Sequence, residues 1–243
     1  MTATSAFSVF GLEPFPVITE GDSITDAVTT ALREQHTRLL DGDVVVVASK
    51  VVSIAEKRSI TLATITPSDQ ARALAERTGK PAAVVQLILQ ESTEHFLATP
   101  TGPIIARHTL GYQLTSAGVD RHGTDSAWLL PLDPDASARH LRDGISAATG
   151  ADIAVIIADS DGRADRRGAT VISLGAAGIA PLRVTEHTDP TGKATRQEET
   201  LTDMIAAAAG IILGQRGRGV PVAVVRGVTH ERGDAGVASM LHQ

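Results

Sequence analysis

Two aspartates that follow small or apolar stretches are the residues of this chain best suited to chemistry. Asp120 closes the segment SAGVD, and Asp159 with Ser160 follows the apolar run 153–158. A carboxylate at the carboxyl end of a buried strand lies at the sheet edge where open α/β folds bind ligands. Carboxylate and hydroxyl oxygens are the ligands that Mg²⁺ or Mn²⁺ prefers when it is bound to phosphates. The two aspartates therefore predict a metal–nucleotide site.

A glycine-rich basic segment follows the second aspartate. It carries Gly162, Arg163 and the pair Arg166-Arg167, whose guanidinium groups are suited to phosphate or carboxylate oxygens. Asp, Ser and Gly after a strand are also ordinary turn and cap residues. Each aspartate taken alone fits a structural role as well as a functional one, whereas the pair together with the basic segment favours function.

The composition narrows the class of protein. Among 243 residues, 42% are hydrophobic and 21% are charged, as in a soluble protein with ample core for one large domain or two small ones. Aromatic residues make up only 2%, which disfavours base-stacking surfaces, and the net charge of −6 argues against nucleic acid as a partner. The absence of cysteine excludes disulfides and thiolate metal sites. No signal peptide or membrane-spanning stretch is visible, so we expect a cytoplasmic protein without a membrane partner.

Hydrophobic spacing predicts alternating helices and strands, and hence an α/β protein. The first helix should begin after Asp22 or Ser23, and a later one should begin at Asp135 or Ser137. The predicted helices cover residues 24–40, 68–77, 81–94, 135–149 and 200–213; the predicted buried strands cover 44–47, 153–158 and 220–225; residues 97–119 should be extended, and 185–199 should be a polar loop.

Five short motifs in a fixed order resemble those of a known family. They are GDVVVVASKVVS (42–53), AGVD (117–120), LPLDPDASARHLR (130–142), VIIADSDGRADRRG (155–168) and VPVAVVRG (220–227). Their order and spacing, over residues 14 to 228, are similar to those of the coenzyme F420-0:L-glutamate ligases, or gamma-glutamyl ligases. The resemblance implies the family's own α/β fold, with mixed sheets and packed helices. It implies one ligase unit over residues 1–243, in one or two lobes, without the flavin-reductase-like domain of the actinobacterial two-domain enzymes.

The resemblance also implies a reaction. GTP would activate the carboxylate of the lactyl-phosphate side chain of a deazaflavin coenzyme precursor as an acyl phosphate, and the amine of L-glutamate would then form an amide. The family uses Mg²⁺ or Mn²⁺ with assistance from a monovalent ion such as K⁺, and its members form homodimers.

Residue roles follow from the same resemblance. Asp120, Asp159 and Ser160 match metal ligands, and Arg163 joins the two aspartates in the catalytic group. The nucleotide-binding positions would be Phe15, Pro16, Val17, Ile18, Ser49, Lys50, Gly214, Gln215, Gly217 and Gly219.

The chain departs from the family pattern at several contacts. Ile54 stands where the family has a nucleotide-contacting lysine, and Gly123 and Ser116 stand where it has asparagines. Three alternatives stay open beside the leading one: a divergent paralogue that ligates another acid or amine, an enzyme of phosphoryl transfer or hydrolysis that uses no glutamate, and a nucleotide-binding protein without catalysis.

Overall fold

The computed structural model describes residues 6–188, 190–214 and 219–242. Its strands are β1 (Ser8–Gly11), β2 (Val44–Ala48), β3 (Ser59–Thr61), β4 (Ser92–Leu97), β5 (Ile104–His108), β6 (Gln113–Thr115), β7 (Asp120–His122), β8 (Ser126–Trp128), β9 (Ala154–Gly162), β10 (Ala169–Ala177), β11 (Leu182–Thr188), β12 (Ala194–Thr200) and β13 (Val222–Arg226). Its helices are α1 (Ile24–Glu34), α2 (Ser49–Ala55), α3 (Asp69–Thr78), α4 (Ala82–Gln90), α5 (Pro134–Thr149) and α6 (Leu201–Leu213). The predicted α/β class is confirmed.

A five-stranded mixed sheet forms the centre of the molecule, in the order β1-β13-β2-β9-β10. β2 and β9 are parallel, and the other neighbours are antiparallel. The four valines 44–47 of β2 are fully buried because helices cover both faces of this sheet. Val45 and Val47 pack with α1 and α5 on one face, whereas Val44 and Val46 pack with α6 on the other. Each buried valine contributes about 1.5–3 kcal/mol, so the sheet is a rigid support for residues at its ends.

Residues 59–128 form an insert between α2 and α5 that has its own core. It contains two three-stranded sheets, β3-β8-β7 and β4-β5-β6, with α3 and α4 packed beside them. Both ends of the insert leave the central unit at one place, where the N–H of Leu129 donates to the carbonyl of Arg58 at 3.1 Å. The strands β11 and β12 pair only with each other and project as a ribbon that is largely exposed to solvent.

Several predicted boundaries are confirmed and others are wrong for identifiable reasons. Ser23 caps α1 as expected, but the helix ends at Glu34 rather than residue 40, because His36 takes a left-handed conformation (φ 51°). The helix predicted up to residue 94 ends at Gln90, since the chain then enters the edge strand β4. The polar segment 185–199, predicted to be a loop, is instead largely the exposed ribbon of β11 and β12.

Two aspartates differ from their predicted surroundings. The strand predicted to end at residue 158 continues to Gly162, so Asp159 lies within β9 rather than beyond it. Helix α5 is capped by Asp133, whose side chain accepts the N–H of Ala136, and not by Asp135 or Ser137. Asp135 is buried and accepts backbone N–H groups from β10 and from the C-terminal segment. No helix among the described residues is long and apolar enough to cross a membrane.

Candidate active site

The carboxyl ends of three strands of the central sheet bring together the segments that carry the predicted functional residues. This end of the sheet is called the sheet edge below. β1, β2 and β9 all run toward this edge, because β13 is antiparallel to β1 and β2 while β2 is parallel to β9. The start of β13 lies there too, since the N–H of Ala48 donates to the carbonyl of Pro221 at 2.8 Å. Residues 12–22, 49–50, 159–162 and 219–221 therefore converge, as the position of ligand sites at strand ends predicts.

Ser49 and Asp159 form the inner pair of this edge. Ala48 of β2 lies opposite Ala158 of β9 in the parallel register. The residues that follow them, Ser49 and Asp159, therefore also lie side by side. The buried Ser49 hydroxyl donates to Oδ1 of Asp159 at 2.9 Å. Ser49 is the first residue of α2 and directly follows β2, so regular structure on both sides fixes the position of its hydroxyl.

Lys50 and Asp120 form the outer pair. The Lys50 ammonium lies 2.8 Å from Oδ2 of Asp120, and both side chains are about half exposed. Asp120 opens β7 after a tight turn in which Ser116 and Ala117 take left-handed conformations (φ 55° and 50°). Since Lys50 follows Ser49 directly, the two pairs bring an aspartate of the insert next to an aspartate of the central sheet.

Asp159 has a raised pKa because it is buried and lies near two other carboxylates. Burial raises the pKa of Asp159 to about 6, against hydrogen bonds from the Ser49 hydroxyl and the Ser160 N–H, and the negative charges of Asp120 and Asp161 raise this pKa further. A carboxyl group with a raised pKa at a strand end is typical of functional sites. A bound cation would offset both the burial and the repulsion.

The donor set fits a hard divalent cation that shares its ligands with phosphate. Asp120, Asp159 and Ser49 supply carboxylate and hydroxyl oxygens, the ligands that Mg²⁺ and Mn²⁺ prefer. No group of three or more His, Asp or Glu side chains able to hold a metal occurs among the residues that the structure describes. Mg²⁺ typically uses one or two carboxylates plus water and substrate phosphates, so two aspartates suffice for such a site. A cation shared by Asp120 and Asp159 stays a prediction.

The Ser160 hydroxyl is not brought to this pair. Successive side chains of a strand point to opposite faces, and the exposed Ser160 follows Asp159 within β9. Its backbone N–H contacts Asp159, and the alternation of the strand turns its side chain toward the other face. The role of Ser160 as a metal ligand stays a prediction, and Ser49 is the hydroxyl that the structure places beside the carboxylate.

Asp161 is a residue of this edge that the sequence analysis missed. It shares the face of Asp159, two positions away, and its Oδ1 accepts the N–H of Thr115 at 2.8 Å. The Thr115 hydroxyl also donates to the Gly162 carbonyl, which fixes β6 of the insert to the end of β9. Burial raises the pKa of Asp161, and the hydrogen bonds from Thr115 and then the positive charge of Arg163 oppose this rise. Side chains two positions apart in a strand share a face, and this rule could have identified Asp161 from the sequence.

The predicted nucleotide segment Phe15–Ile18 follows β1 along the same edge. Phe15 packs against the central core and Ile18 is buried, whereas Pro16 and Val17 face solvent, with Val17 88% exposed. The segment is held beside α2 by the Gly21 N–H, which donates to the Ala55 carbonyl at 3.0 Å. The two ends of the segment are packed, and the two middle side chains are exposed and free to contact a ligand.

The second predicted nucleotide segment is described only in part. Gly214 caps α6 through its N–H, which donates to the Gly210 carbonyl. Gly219 has φ +86°, and a Cβ there would lie 2.4 Å from the Leu213 carbonyl oxygen, so packing against the end of α6 requires glycine. Gln215 and Gly217 lie outside the described residues. Arg163 lies beyond β9, half exposed and 3.8 Å from Asp165.

Comparison with known proteins identifies the family of this chain. The model of the family described as F420-0:Gamma-glutamyl ligase matches residues 14–227, which is most of the sequence. The chain belongs to this family. It is accordingly a ligase.

Three relatives show how far the similarity to this ligase family extends. The coenzyme F420:L-glutamate ligase of Methanothermobacter thermautotrophicus is 38% identical over 241 residues, which cover 96% of this chain and 95% of that protein. The protein of the same name from Archaeoglobus fulgidus is 38% identical over 90% of this chain and 87% of its own length. That from Methanosarcina acetivorans is 33% identical over 92% of this chain and 87% of its own.

The departure of this ligase at Ile54 lies on α2, close to the converging segments. Among the cations nearby, Arg58 is engaged by the Leu130 carbonyl and Lys50 by Asp120. The Lys57 side chain instead passes close to Gly21 of the segment that follows β1, where a Cβ would lie 3.6 Å from the Lys57 Cε. A replacement of the family's lysine by Lys57, or by another of the nearby cations, stays a prediction.

Proposed function

We propose that this ligase joins L-glutamate to the carboxylate of coenzyme F420-0 in F420 biosynthesis, with GTP as the activating nucleotide. The observation that carries the proposal is the edge formed by Ser49–Asp159 and Lys50–Asp120, where two carboxylates meet a lysine and a hydroxyl. The names of the relatives, which cover nearly the whole chain, support the substrates.

The proposed reaction has two steps. A carboxylate oxygen of the acceptor attacks the γ-phosphorus of GTP, so the bond to the β-phosphate oxygen breaks and GDP leaves. The amine nitrogen of glutamate then attacks the acyl carbon, phosphate leaves with the bonding pair, and the nitrogen loses a proton. Catalysis of phosphoryl transfer is mainly positioning and stabilisation of charge, and the converging segments of the sheet edge are suited to both.

Each residue of the edge has a role in this proposal. A bound Mg²⁺ or Mn²⁺ would supply positive charge to the phosphate oxygens. Asp159 and Asp120 would hold this cation, and Ser49 orients Asp159 through its hydrogen bond. Lys50, now paired with Asp120, would turn to the phosphates once the cation satisfies that carboxylate. Arg163, just beyond the end of β9, would contact phosphate or carboxylate oxygens. A K⁺ ion would assist, as the resemblance to the family implies.

The proposed assembly is a homodimer. Helix α6 presents exposed apolar side chains at Met204 and Ile211, which are 41% and 85% accessible, and Val184 of the neighbouring ribbon is 42% accessible. Exposed apolar groups at helical spacing on an otherwise well-packed helix suit a second copy of the chain. Light scattering at micromolar concentration should give the mass of a dimer, and a monomer would count against this assembly.

Phosphate release measured with a panel of substrates tests the activity. The chain is incubated with GTP or ATP, Mn²⁺ or Mg²⁺, F420-0 or another carboxylic acid, and L-glutamate, each also omitted in turn. Release that requires both the acid and the amine supports a ligase. Release without acid or amine would indicate hydrolysis, and tight nucleotide binding without release would indicate a protein that does not catalyse.

A divergent paralogue is the second candidate, and Ile54 is the observation that favours it. A branched alkyl group cannot donate the hydrogen bond of a lysine, so the nucleotide or the acceptor recognised here can differ from that of the relatives. The same panel separates the two candidates, because a paralogue would release phosphate with another acid or nucleotide in preference to F420-0 and GTP.

A further inference from the structure

The two aspartates of the candidate site belong to different parts of the fold. Asp159 lies in β9 of the central sheet, whereas Asp120 opens β7 of the insert. Both ends of the insert join the central unit at one place, at Arg58 and Leu129, and an attachment at a single place allows a hinge motion. Contacts between the insert and the central sheet therefore decide how far apart the two carboxylates lie.

Thr115, at the end of β6, makes such a contact beside Asp159. Its backbone N–H donates to Oδ1 of Asp161 at 2.8 Å, and its hydroxyl donates to the Gly162 carbonyl at 2.8 Å. The two chains approach closely here, because a Cβ at Gly162 would lie 2.7 Å from the Thr115 hydroxyl oxygen. Asp161, two positions after Asp159 in β9, thus ties the end of β6 to the sheet edge.

The segment from Thr115 to Asp120 is a packed arm. Residues 116–118 all have positive φ angles, between 50° and 68°. The N–H of Val119 closes this turn by donating to the Ser116 carbonyl at 2.9 Å, and the arm packs in the core of the insert. A displacement of Thr115 is therefore transmitted to Asp120, because the arm has little freedom to absorb it.

We propose that Asp161 is a positioning residue, which holds Thr115 and thereby sets the separation of Asp120 from Asp159. The inference rests on the proposed function, because it assumes that these two aspartates share a cation. A shared cation requires oxygens at defined distances, about 2.0–2.6 Å from the metal. Asp161 acts on this geometry through the arm, and its charge is not what the proposal depends on.

Binding of Mn²⁺ to the whole chain, followed by the electron paramagnetic resonance signal of free Mn²⁺, tests this role. Asp161→Ala should weaken binding roughly ten- to hundredfold, the range for outer groups that orient metal ligands. Asp161→Asn loses the same charge but keeps an oxygen that can accept the Thr115 N–H, so it should stay within about threefold of the parent. The difference between the two variants reports on the acceptor oxygen alone.

Tyr112→Phe is the matched control for a general loosening of the insert. The Tyr112 hydroxyl also joins β6 to the central sheet, but it donates to the Leu174 carbonyl of β10 rather than to the strand that carries Asp159. Its loss should lower the midpoint of urea unfolding and leave Mn²⁺ affinity within about twofold of the parent, because it acts at another strand.

Hydrogen exchange of the backbone amides of residues 116–122 gives a readout that needs neither metal nor substrate. Exchange in the metal-free chain should be faster in Asp161→Ala than in the parent, and Asp161→Asn should resemble the parent.

Four outcomes would each overturn the positioning role of Asp161. They are equal Mn²⁺ affinities of the alanine and asparagine variants, equal losses in Asp161→Ala and Tyr112→Phe, unchanged exchange in Asp161→Ala, and a parent that binds no Mn²⁺. Phosphate release by the parent with GTP, F420-0 and glutamate is measured separately. A parent that binds Mn²⁺ as expected but releases no phosphate would refute the ligase reaction and leave the positioning role intact.

Discussion

Replacement of Asp159 by asparagine should stabilise the metal-free protein while it removes metal-dependent activity. The unperturbed pKa of an aspartate is 3.8, whereas Asp159 in the folded chain keeps its proton up to about pH 6. Between these values the folded protein binds more protons than the unfolded chain, so its stability falls as the pH rises through this window. Asparagine does not titrate and can still accept the Ser49 hydrogen bond. The asparagine variant is therefore more stable than the parent above pH 6, and this difference in the free energy of unfolding disappears below about pH 4.

The magnitude follows from the shift. A pKa raised from 3.8 to about 6 corresponds, at about 1.36 kcal/mol per unit, to about 3 kcal/mol of lost stability at pH 8. Because the side chain keeps some contact with solvent, we expect a gain of about 1–3 kcal/mol for Asp159→Asn. Urea unfolding with a chelator at pH 8 and at pH 4 measures it. Asp120→Asn is the control, since this aspartate is half exposed and should change stability by less than about 1 kcal/mol.

Added Mn²⁺ should reverse the order of the two proteins. A ligand that binds only the folded state stabilises it in proportion to its occupancy, so the parent should gain stability from Mn²⁺ and Asp159→Asn should not. If Asp159→Asn is less stable than the parent at pH 8 without metal, or keeps near-normal turnover at limiting Mn²⁺, the electrostatic role of Asp159 is refuted.

Three further changes test other parts of the structure. Ile54→Lys should tighten GTP binding at least severalfold by calorimetry, within the ten- to hundredfold of a charged hydrogen bond, and unchanged or weaker binding would mean a pocket rebuilt for another ligand. Gly219→Ala should cost more than about 2 kcal/mol in urea unfolding, because its Cβ would meet a carbonyl oxygen at 2.4 Å. Gly42→Ala shares a positive φ but meets open space, so it should cost about 1 kcal/mol, and equal losses would contradict the packing argument. Asp135→Ala should cost about 2–4 kcal/mol by the same assay, because it leaves the N–H groups that this carboxylate accepts unsatisfied, and a near-neutral result would mean that water replaces them.

Sequence patterns predicted the elements that depend on local spacing. The buried strand at residues 44–47 was recognisable because a continuous β-branched run fits a sheet covered on both faces. The cap at Ser23 was recognisable because its hydroxyl serves the next turn of the same chain. In both cases the interactions that decide the structure lie within a few residues.

The features that the sequence did not predict depend on contacts between residues that are distant in sequence. The ribbon of β11 and β12 carries polar residues on both faces, so its sequence lacks the alternation of apolar and polar residues that predicts a strand. The partner of Asp159 is Ser49, 110 positions away, and only the parallel register of β2 and β9 brings them together. The aspartates were recognisable from their positions after apolar stretches, but the alternation that turns Ser160 away from Asp159 depends on β9 continuing to Gly162.

The insert leaves and rejoins the central sheet at neighbouring residues, and this has a consequence for how such enzymes can diversify. A segment whose two ends lie side by side can be replaced by another segment without a change in the fold of the central sheet. Such an exchange would replace the two small sheets of the insert together with α3 and α4 in one event. The contacts of the insert with the central sheet would have to be kept, among them Asp120 with Lys50, Thr115 with Asp161, and the Tyr112 hydroxyl with the Leu174 carbonyl. An exchange that keeps these contacts changes the surface of the insert and leaves the scaffold as it is.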